Sequence, residues 1–327
     1  MNASHSRKIA EVVLKAESAP RQSFFVSDSD PDLPRSLSPY DIALFVSGRP
    51  HVNLTKLWQA LNVDATQFNG MPTNANFFPI ICENCEAETF EYDLDGIPGT
   101  EVLLRIGGPV DYSYRYLIFK FDANKWRIPG YIDAWGKYRK PQHTIIINHG
   151  VTWLDIQQQG SNGTGVASYV DGVYLVTSKR VIEAFTYPSE GHEYGLSNSA
   201  NREFTGRVLD CSLTGTTATA AIQYSVTYVG DDILFTKAQH AVFSRTLGSQ
   251  SQRFDRARSD LSREELESVY NIDSLSNEAF LKYNYAELAA IASGSDVERR
   301  QWLLSFLETC NDTIERRHLK QLLARRT

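Results

Sequence analysis

The sequence lacks long apolar runs. No stretch approaches the ~20 consecutive apolar residues that a helix needs to cross a bilayer. Residues 1–8 do not lead into the continuous apolar segment of a secretory signal either. These absences predict a protein with no transmembrane segment. They make the cytoplasm the expected compartment, or an extracytoplasmic one if a signal has been removed.

Charge of one sign is also scarce. The 327 residues include 33 Lys and Arg against 39 Asp and Glu, which gives a formal net charge of −6. Binding to a phosphate backbone needs a basic surface, so this balance argues against nucleic acid as a partner. The composition, 42% hydrophobic and 22% charged, is typical of a globular chain. A chain of this length can bury a core without metals or disulfides as staples.

Cysteine is rare, with four in the chain. Cys82 and Cys85 form a single C-x-x-C pair, whereas a structural zinc site usually needs two such pairs. The redox motif needs a helix directly after the pair, and here a strand-like run follows. We therefore interpret these cysteines as plain thiols or a local disulfide, with metal binding and redox catalysis as the alternatives.

Familiar catalytic motifs are missing. The signatures of nucleophile elbows, zinc proteases, dinucleotide-binding folds and P-loops do not occur in the sequence. The glycine-rich segment 160–165 leads into a strand-like run instead of a helix, and it has no Lys-Ser/Thr pair. A hairpin turn is therefore favoured over a phosphate site. No family is recognised across the whole chain.

Strand patterns fill the middle of the sequence. Residues 218–228 carry Ala, Ile, Tyr or Val at even positions and mostly polar side chains at odd positions. This alternation is the pattern of a strand with one buried face. Similar runs follow one another from about residue 88, separated by turn signals and without long helices between them. Such strands pair antiparallel, so we predict an antiparallel β domain over 88–247, built as a sandwich, a roll or a partly open barrel.

Helical patterns occupy both ends of the sequence. Ser38 and Pro39 are a typical N-cap and first helical residue. Ser295 and Asp312 each begin a capping-box sequence in the C-terminal part. We predict short helices and a linker over 1–87 and a small helical bundle over 248–327. The fold class is then α+β, with the helices segregated from the sheet.

Three acidic residues surround a Gly-Pro turn at 96–99. Asp93, Asp95 and Glu101 offer carboxylate oxygens, which are the ligands that calcium prefers. The segment 93–101 resembles the calcium loops of FG-GAP and VCBS propeller repeats, in which a D-x-D-G pattern precedes an apolar strand. Ile97 departs from that pattern at a position where a third oxygen ligand is expected, and the motif occurs once. The resemblance implies a calcium site, and a plain turn between two strands is the alternative.

A polar cluster follows the strand-like run over 181–187. Glu190, His192 and Glu193 could support acid–base catalysis if a loop folded them over a pocket, together with His149 or Asp155. A hydrolase-like enzyme is therefore one hypothesis. A solvated loop is the alternative interpretation of the same residues, since polar stretches with glycine between strands are usually loops.

Aromatic and cationic side chains are mixed at 135–141. Trp135, Tyr138 and Arg139 are of the types that supply contact area at low entropy cost in recognition surfaces. Because no catalytic constellation is present, our first hypothesis is a non-catalytic binding or adaptor protein. It would contact a protein or a glycan through this loop, with the C-terminal helices as a second contact surface.

Overall fold

The computed structural model describes most of the chain beyond residue 80 and short parts before it. The described residues are 24–25, 36–47, 51–53, 81–83, 85–108, 112–122, 125–163, 165–193, 201–230, 233–247, 255–259 and 276–325. They form antiparallel sheets with a few short helices, including the helices near the C-terminus, and this confirms the predicted fold class. No helix in these ranges is long and apolar enough to span a membrane.

The elements follow one another in a simple order. The first part contains β1 (Phe24–Phe25), β2 (Ser36–Leu37), α1 (Pro39–Ser47), β3 (His51–Asn53), β4 (Ile81–Glu83), β5 (Glu86–Tyr92), β6 (Glu101–Gly107), β7 (Ser113–Asp122) and β8 (Lys125–Trp135). The middle contains β9 (Gln142–Asn148), β10 (Val151–Gly163), β11 (Val166–Val176), β12 (Val181–Glu193), β13 (Asn201–Thr214), β14 (Thr217–Val229), β15 (Ile233–Thr246) and β16 (Asp255–Ser259). The helices α2 (Asn277–Tyr283), α3 (Tyr285–Ser293), α4 (Val297–Thr309) and α5 (Ile314–Ala324) complete the described chain.

Neighbours in sequence are neighbours in the sheets. One sheet has the order β5-β6-β7-β8, a second has the order β9 to β16, and two small pairs join β1 with β2 and β3 with β4. Short connections of this kind give antiparallel meanders. The predicted hairpin at 160–165 joins β10, which ends at Gly163, to β11, which begins at Val166.

The chain forms two compact units. Unit 1 comprises residues 1–159 and 172–186, and unit 2 comprises residues 160–171 and 187–327. Strands β10, β11 and β12 each contribute residues to both units. The three segments expected from sequence period, 1–87, 88–247 and 248–327, follow element type and stay a prediction as domains.

The core of unit 1 lies on both faces of the four-stranded sheet. Every residue of β6 is buried. Val102, Leu104 and Ile106 pack against helix α1 on one face, and Leu103 packs with Leu154 on the other. A strand that is buried on both faces has a nearly continuous apolar sequence. The charged residues of β6 are therefore exceptions that require partners.

Strand β8 contains Pro129, which interrupts the alternating pattern of its sequence. β8 is the last strand of its sheet, where a residue without an N–H is tolerated. The register with β7 shifts at this point, since Ile118 pairs with Gly130 but Lys120 pairs with Arg127. The extra residue is a β-bulge, which absorbs the proline at a small local cost.

Unit 2 confirms the alternation that was predicted for residues 218–228. Every even position in this run is buried, and each odd position of β14 is half-buried. The aromatic ring of Phe280 in α2 lies 5.0 Å from the ring of Tyr228 in β14 and 5.2 Å from that of Phe306 in α4, measured between centroids. The ring of Phe280 also lies 6.4 Å from that of Phe235 in β15, so α2 packs against two aromatic residues of the sheet.

Three helix starts agree with the sequence to within one residue. Ser38 caps α1 as predicted, and Pro39 is its first residue. In the C-terminal part the caps are Asp296 and Thr313, whose side chains accept the N–H groups of residues three positions later. The predicted caps, Ser295 and Asp312, were each one residue too early. The further N-terminal helices expected within 1–87, apart from α1, lie outside the described residues.

Candidate functional site

A cleft of about 800 Å³ lies in unit 1. Helix α1 and strand β5 form most of its walls, and β6 and β9 complete them. Its lining includes Tyr40, Ala43, Leu44 and Ser47 of α1, residues 87–90 and Tyr92 of β5, Arg105 of β6, and Gln142 and His143 of β9. None of these residues was a predicted site residue.

The position of α1 follows from its sequence. Ser38 and Asp41 exchange hydrogen bonds at the helix start, with 2.7 Å between the Ser38 hydroxyl and Asp41 Oδ2. Ile42 and Val46 are one turn apart and fully buried against the sheet. This orientation places Leu44 on the outer side, where 76% of its surface is exposed at the rim of the cleft.

Arg105 is a buried cation at the floor of the cleft. Its guanidinium donates to the carbonyl oxygen of Pro141 at 2.6 Å and forms an ion pair with Glu88. The guanidinium carbon also lies 5.6 Å from the ring centroid of Phe90 and 5.9 Å from that of Tyr116, within range of a cation–π contact. Its Nε has no hydrogen-bond partner among the described residues.

His143 is surrounded by aromatic rings. Its Nε2 shares a hydrogen bond of 2.9 Å with the hydroxyl of Tyr92. Its ring centroid lies 4.4 Å from that of Phe90, in an edge-to-face arrangement, and 5.7 Å from that of Tyr116. Offset and edge-to-face rings of this kind add to the stability of the packing. The imidazole is thus held in place by contacts on several sides.

The ionisable groups of the cleft have pKa values that lie away from neutrality. Burial, and then the positive charge of Arg105, lower the pKa of His143 to about 4. Burial raises the pKa of Tyr92. Burial also raises the pKa of Glu88, but hydrogen bonds from Lys140 and Arg105 outweigh it, and the net pKa is lower than usual. At neutral pH, His143 and Tyr92 are therefore uncharged, and Glu88 is ionised.

The three predicted calcium ligands come together near the start of β6. One carboxylate oxygen each from Asp93, Asp95 and Glu101 lies within 4.8 Å of the other two. The ammonium group of Lys120 forms an ion pair with Asp95 and lies 3.1 Å from Glu101. The other oxygen of Glu101 accepts the N–H of Leu94 at 2.6 Å. A lysine side chain thus supplies positive charge to this group of carboxylates.

The geometry of the acidic loop is that of a hydrogen-bonded turn. The N–H of Gly96 donates to Asp93 at 2.9 Å, and the N–H of Ile97 donates to Asp95 at 3.0 Å. The second oxygen of Asp95 is engaged by Lys120. Calcium would have to compete with this ammonium group for Asp95. Calcium binding stays a prediction, and the chain offers these three carboxylates as its ligands.

The predicted binding loop is an exposed turn after β8. Trp135 is the last residue of β8, and Tyr138 exposes 68% of its surface. Gln159 accepts the N–H groups of Lys137 and Tyr138 at 2.8 and 3.1 Å, which fixes the turn. The ammonium group of Lys137 lies 5.3 Å from the ring centroid of Tyr138. Arg139 is half-buried.

The predicted catalytic residues lie in a strand, and the expectation of a loop was wrong. Glu190, His192 and Glu193 belong to β12 and pair with residues 202–205 of β13. Pro188 suggested an end to the strand, but β12 continues past it. Successive side chains of a strand point to opposite faces, so Glu190 and His192, two residues apart, lie on the same face. His192 does not line the cleft of unit 1.

The two other residues proposed for this catalysis, Asp155 and His149, do not belong to β12. Asp155 is buried within β10, and His149 lies in the turn between β9 and β10, with a φ of 50°. Cys85 is disulfide-bonded and buried, which agrees with the disulfide alternative for that cysteine. Cys211 and Cys310 are buried and are not disulfide-bonded.

A second cleft of about 610 Å³ lies in unit 2 at the start of α4. Its lining includes Leu234, Asp296, Arg299 and Trp302. The Asp296 carboxylate accepts the N–H of Arg299 and also lies 3.3 Å from the Arg299 side chain, so these two charges offset each other. The ring of Trp302 stacks on Phe306 at 5.3 Å. These contacts are those of a capped and packed helix end.

One sequence signal could have indicated the cleft of unit 1. Arg105 is a single cation inside the apolar run 102–106, and a charge in a strand buried on both faces requires a partner. His143 had no comparable signal, because its aromatic neighbours come from distant strands.

No protein-family model matches this chain, and no curated protein matches its sequence.

Proposed function

We propose that the protein is a non-catalytic binding protein and that the cleft of unit 1 is its site. The observation that carries this proposal is the combination of aromatic rings with polar groups whose charges are fixed at neutral pH. Phe90, Tyr92 and His143 supply apolar surface, and Glu88 and Arg105 supply a fixed pair of charges. A concave, partly apolar site with a few polar groups is the usual form of a ligand site.

The pKa values favour binding over acid–base catalysis. A general acid or base works best when its pKa lies near the working pH. The pKa of His143 is about 4, and the pKa of Tyr92 is raised. Neither group exchanges protons readily near neutrality. Both act instead as neutral hydrogen-bonding groups, which orient a ligand without reacting with it.

The size of the cleft fits a ligand of moderate size. Its volume of about 800 Å³ falls within the ~300–1,000 Å³ that is common for ligand sites. The loop at 135–141 supplies a second contact surface, since Tyr138 is exposed and Lys140 pairs with Glu86 and Glu88 of β5. The loop also contacts the Arg105 site. The carbonyl oxygen of Pro141 accepts a hydrogen bond from Arg105, and Lys140 pairs with Glu88, the ion-pair partner of Arg105.

The test is a binding screen with two matched variants. Short peptides and neutral oligosaccharides are screened against the purified protein by thermal shift, and hits are measured by calorimetry. Leu44→Lys adds a charge at the rim of the cleft, and Leu304→Lys makes the same change on α4 in unit 2, where Leu304 is 48% exposed. Both sites tolerate charge because both are surface positions on helices.

The proposal predicts that Leu44→Lys weakens the binding of a hit by about tenfold or more, since it places charge next to an apolar contact. Leu304→Lys leaves the binding unchanged. Binding that survives Leu44→Lys and is lost in Leu304→Lys would assign the site to unit 2 and overturn the proposal. A third variant, Tyr138→Ala, measures the share of the loop.

A further inference from the structure

Strand β5 lies at the edge of its sheet, and the cleft runs along that edge. In the order β5-β6-β7-β8, the structure pairs β5 with β6 alone, as far as the described residues show. Residues 87–90 are consecutive, so their side chains alternate between the two faces of the sheet. All four line the same cleft. A cleft that is lined by both faces of a strand must pass around its open edge.

A contact from α1 identifies the backbone groups at this edge. The hydroxyl of Ser47 donates to the carbonyl oxygen of Ala87 at 3.2 Å. Backbone groups of alternate residues point to the same side of a strand. The N–H and C=O groups of Thr89 and Glu91 are therefore directed to the edge, and those of Glu88 and Phe90 are directed to β6. Thr89 lies in the part of the edge that lines the cleft.

The two walls of the cleft match the two sides of an extended peptide. Leu44 and Ala43 of α1 stand on one side of β5. Phe90, Tyr92 and His143 stand on the other side. An added strand would direct alternate side chains to these two walls, and both walls offer apolar or aromatic surface. Main-chain bonds would give affinity, and the walls would give specificity.

Charge decides which kind of strand fits. β5 carries Glu86, Glu88 and Glu91 and no cationic residue. A second copy of β5 at this edge would bring three more carboxylates beside these three, which is unfavourable. Within unit 1, two of the three carboxylates already attract the ammonium group of Lys140. A peptide with basic side chains therefore fits the edge better than another copy of this chain.

Building on the proposed function, we propose that the ligand is an extended, basic peptide segment of another protein. It adds to the edge of β5 as a fifth strand, forms hydrogen bonds with Thr89, and places alternate side chains against Leu44 and against the rings of Phe90 and His143. Arg105 and Glu88 hold the floor of the site in a fixed state of charge.

The test uses displayed random peptides of about ten residues, the length of a strand that spans the edge. Selected peptides are synthesised, and their affinities are measured by calorimetry with wild-type protein, Thr89→Pro and Thr89→Val. Proline removes the N–H at the edge without removing a bond to β6, and edge positions tolerate proline. Valine keeps the N–H and the branched shape.

The inference predicts basic sequences with alternating apolar residues, a loss of affinity of about tenfold or more in Thr89→Pro, and little change in Thr89→Val. Equal affinity for all three proteins would overturn it. If Thr89→Pro does not fold, amide exchange in the wild type decides. Bound peptide must then slow the exchange of the Thr89 N–H, and an unchanged rate contradicts the inference.

Failure of this inference is distinguishable from failure of the proposed function. If no peptide is selected while the binding of a neutral oligosaccharide is lost in Leu44→Lys, the cleft is a ligand site but not a strand acceptor. If neither peptides nor oligosaccharides depend on Leu44, both proposals fall.

Discussion

The two ends of strand β6 carry similar chemistry in different surroundings. At one end, Glu101 pairs with Lys120, and at the other, Arg105 pairs with Glu88. The side chains of Glu101 and Lys120 are 0% and 7% exposed, whereas Glu88 is 44% exposed and lines the cleft. One pair is closed within the protein, and the other faces a space that a ligand can enter.

This comparison shows that burial of a charge does not by itself mark a functional site. Lys120 neutralises carboxylates that would otherwise be buried without a cation, which is a structural role. Arg105 is held as firmly, but its partner and its aromatic neighbours form a wall of the cleft. The surroundings of the ion pair, more than the pair itself, separate the two roles.

The largest effect is expected from Lys120→Ala. It leaves Glu101 and Asp95 buried without their cation, and breaking such a pair costs about 3–5 kcal/mol in the free energy of unfolding. Urea denaturation measures the loss. The double variant with Lys120→Met and Glu101→Gln should lose less, because it removes charge from both sides. A loss below about 1 kcal/mol in Lys120→Ala would show that water reaches this end of β6.

Arg105→Ala should cost less, about 2 kcal/mol in the free energy of unfolding, since Glu88 is partly exposed and keeps Lys140 as a partner. The same change removes a charge that lowers the pKa of His143. An NMR titration should therefore find a higher pKa for His143 in this variant. Arg105→Lys is the control, as it keeps the charge but not the planar fork. An unchanged pKa in Arg105→Ala would contradict the described geometry.

Calcium binding tests whether Lys120 closes the end of β6 that carries Glu101. Because Lys120 occupies Asp95, we expect neither calcium nor a chelator to change the melting temperature of the wild type. Lys120→Ala frees Asp95 and Glu101 to act with Asp93 as ligands, and calcium at ten times its dissociation constant should stabilise that variant by about 1.4 kcal/mol. Magnesium, which demands stricter geometry, is the control ion. Stabilisation of the wild type by calcium would show that the metal displaces the lysine.

The smallest effect concerns pH at the open end. The pKa of His143 is about 4 in the folded protein and 6.5 ordinarily, so the unfolded chain binds more protons between these values. Its contribution to stability is complete above pH 6.5 and is lost as the pH falls toward 4. Solvent screening at this partly exposed side chain reduces the effect to about 1 kcal/mol.

Urea denaturation of the wild type and of His143→Asn at pH 7 and at pH 5 measures the contribution of His143 to the free energy of unfolding. The difference in stability between the two proteins should shrink at pH 5. A difference that stays constant would mean that His143 titrates normally in the folded protein.

The sequence predicted the fold better than the site. Period-two alternation gave β14 residue by residue, because one face of that strand is buried in regular steps. The sequence did not indicate the edge strand β8, because Pro129 interrupts its alternating pattern. The run that became β12 was expected to end at Pro188. Asp93, Asp95 and Glu101 were found because they lie close together in sequence. The cleft is formed by α1, β5 and β9, which span more than a hundred residues of sequence. A local sequence pattern cannot indicate a contact between segments so far apart.

Amide hydrogen exchange of the protein without ligand tests the central claim most directly. If the edge of β5 is open to the cleft, the N–H groups of Thr89 and Glu91 exchange quickly, and those of Glu88 and Phe90 are protected by bonds to β6. We therefore expect fast and slow amide exchange to alternate along β5. Uniform protection of all four amides would show that another segment already covers the edge, and it would contradict the claim.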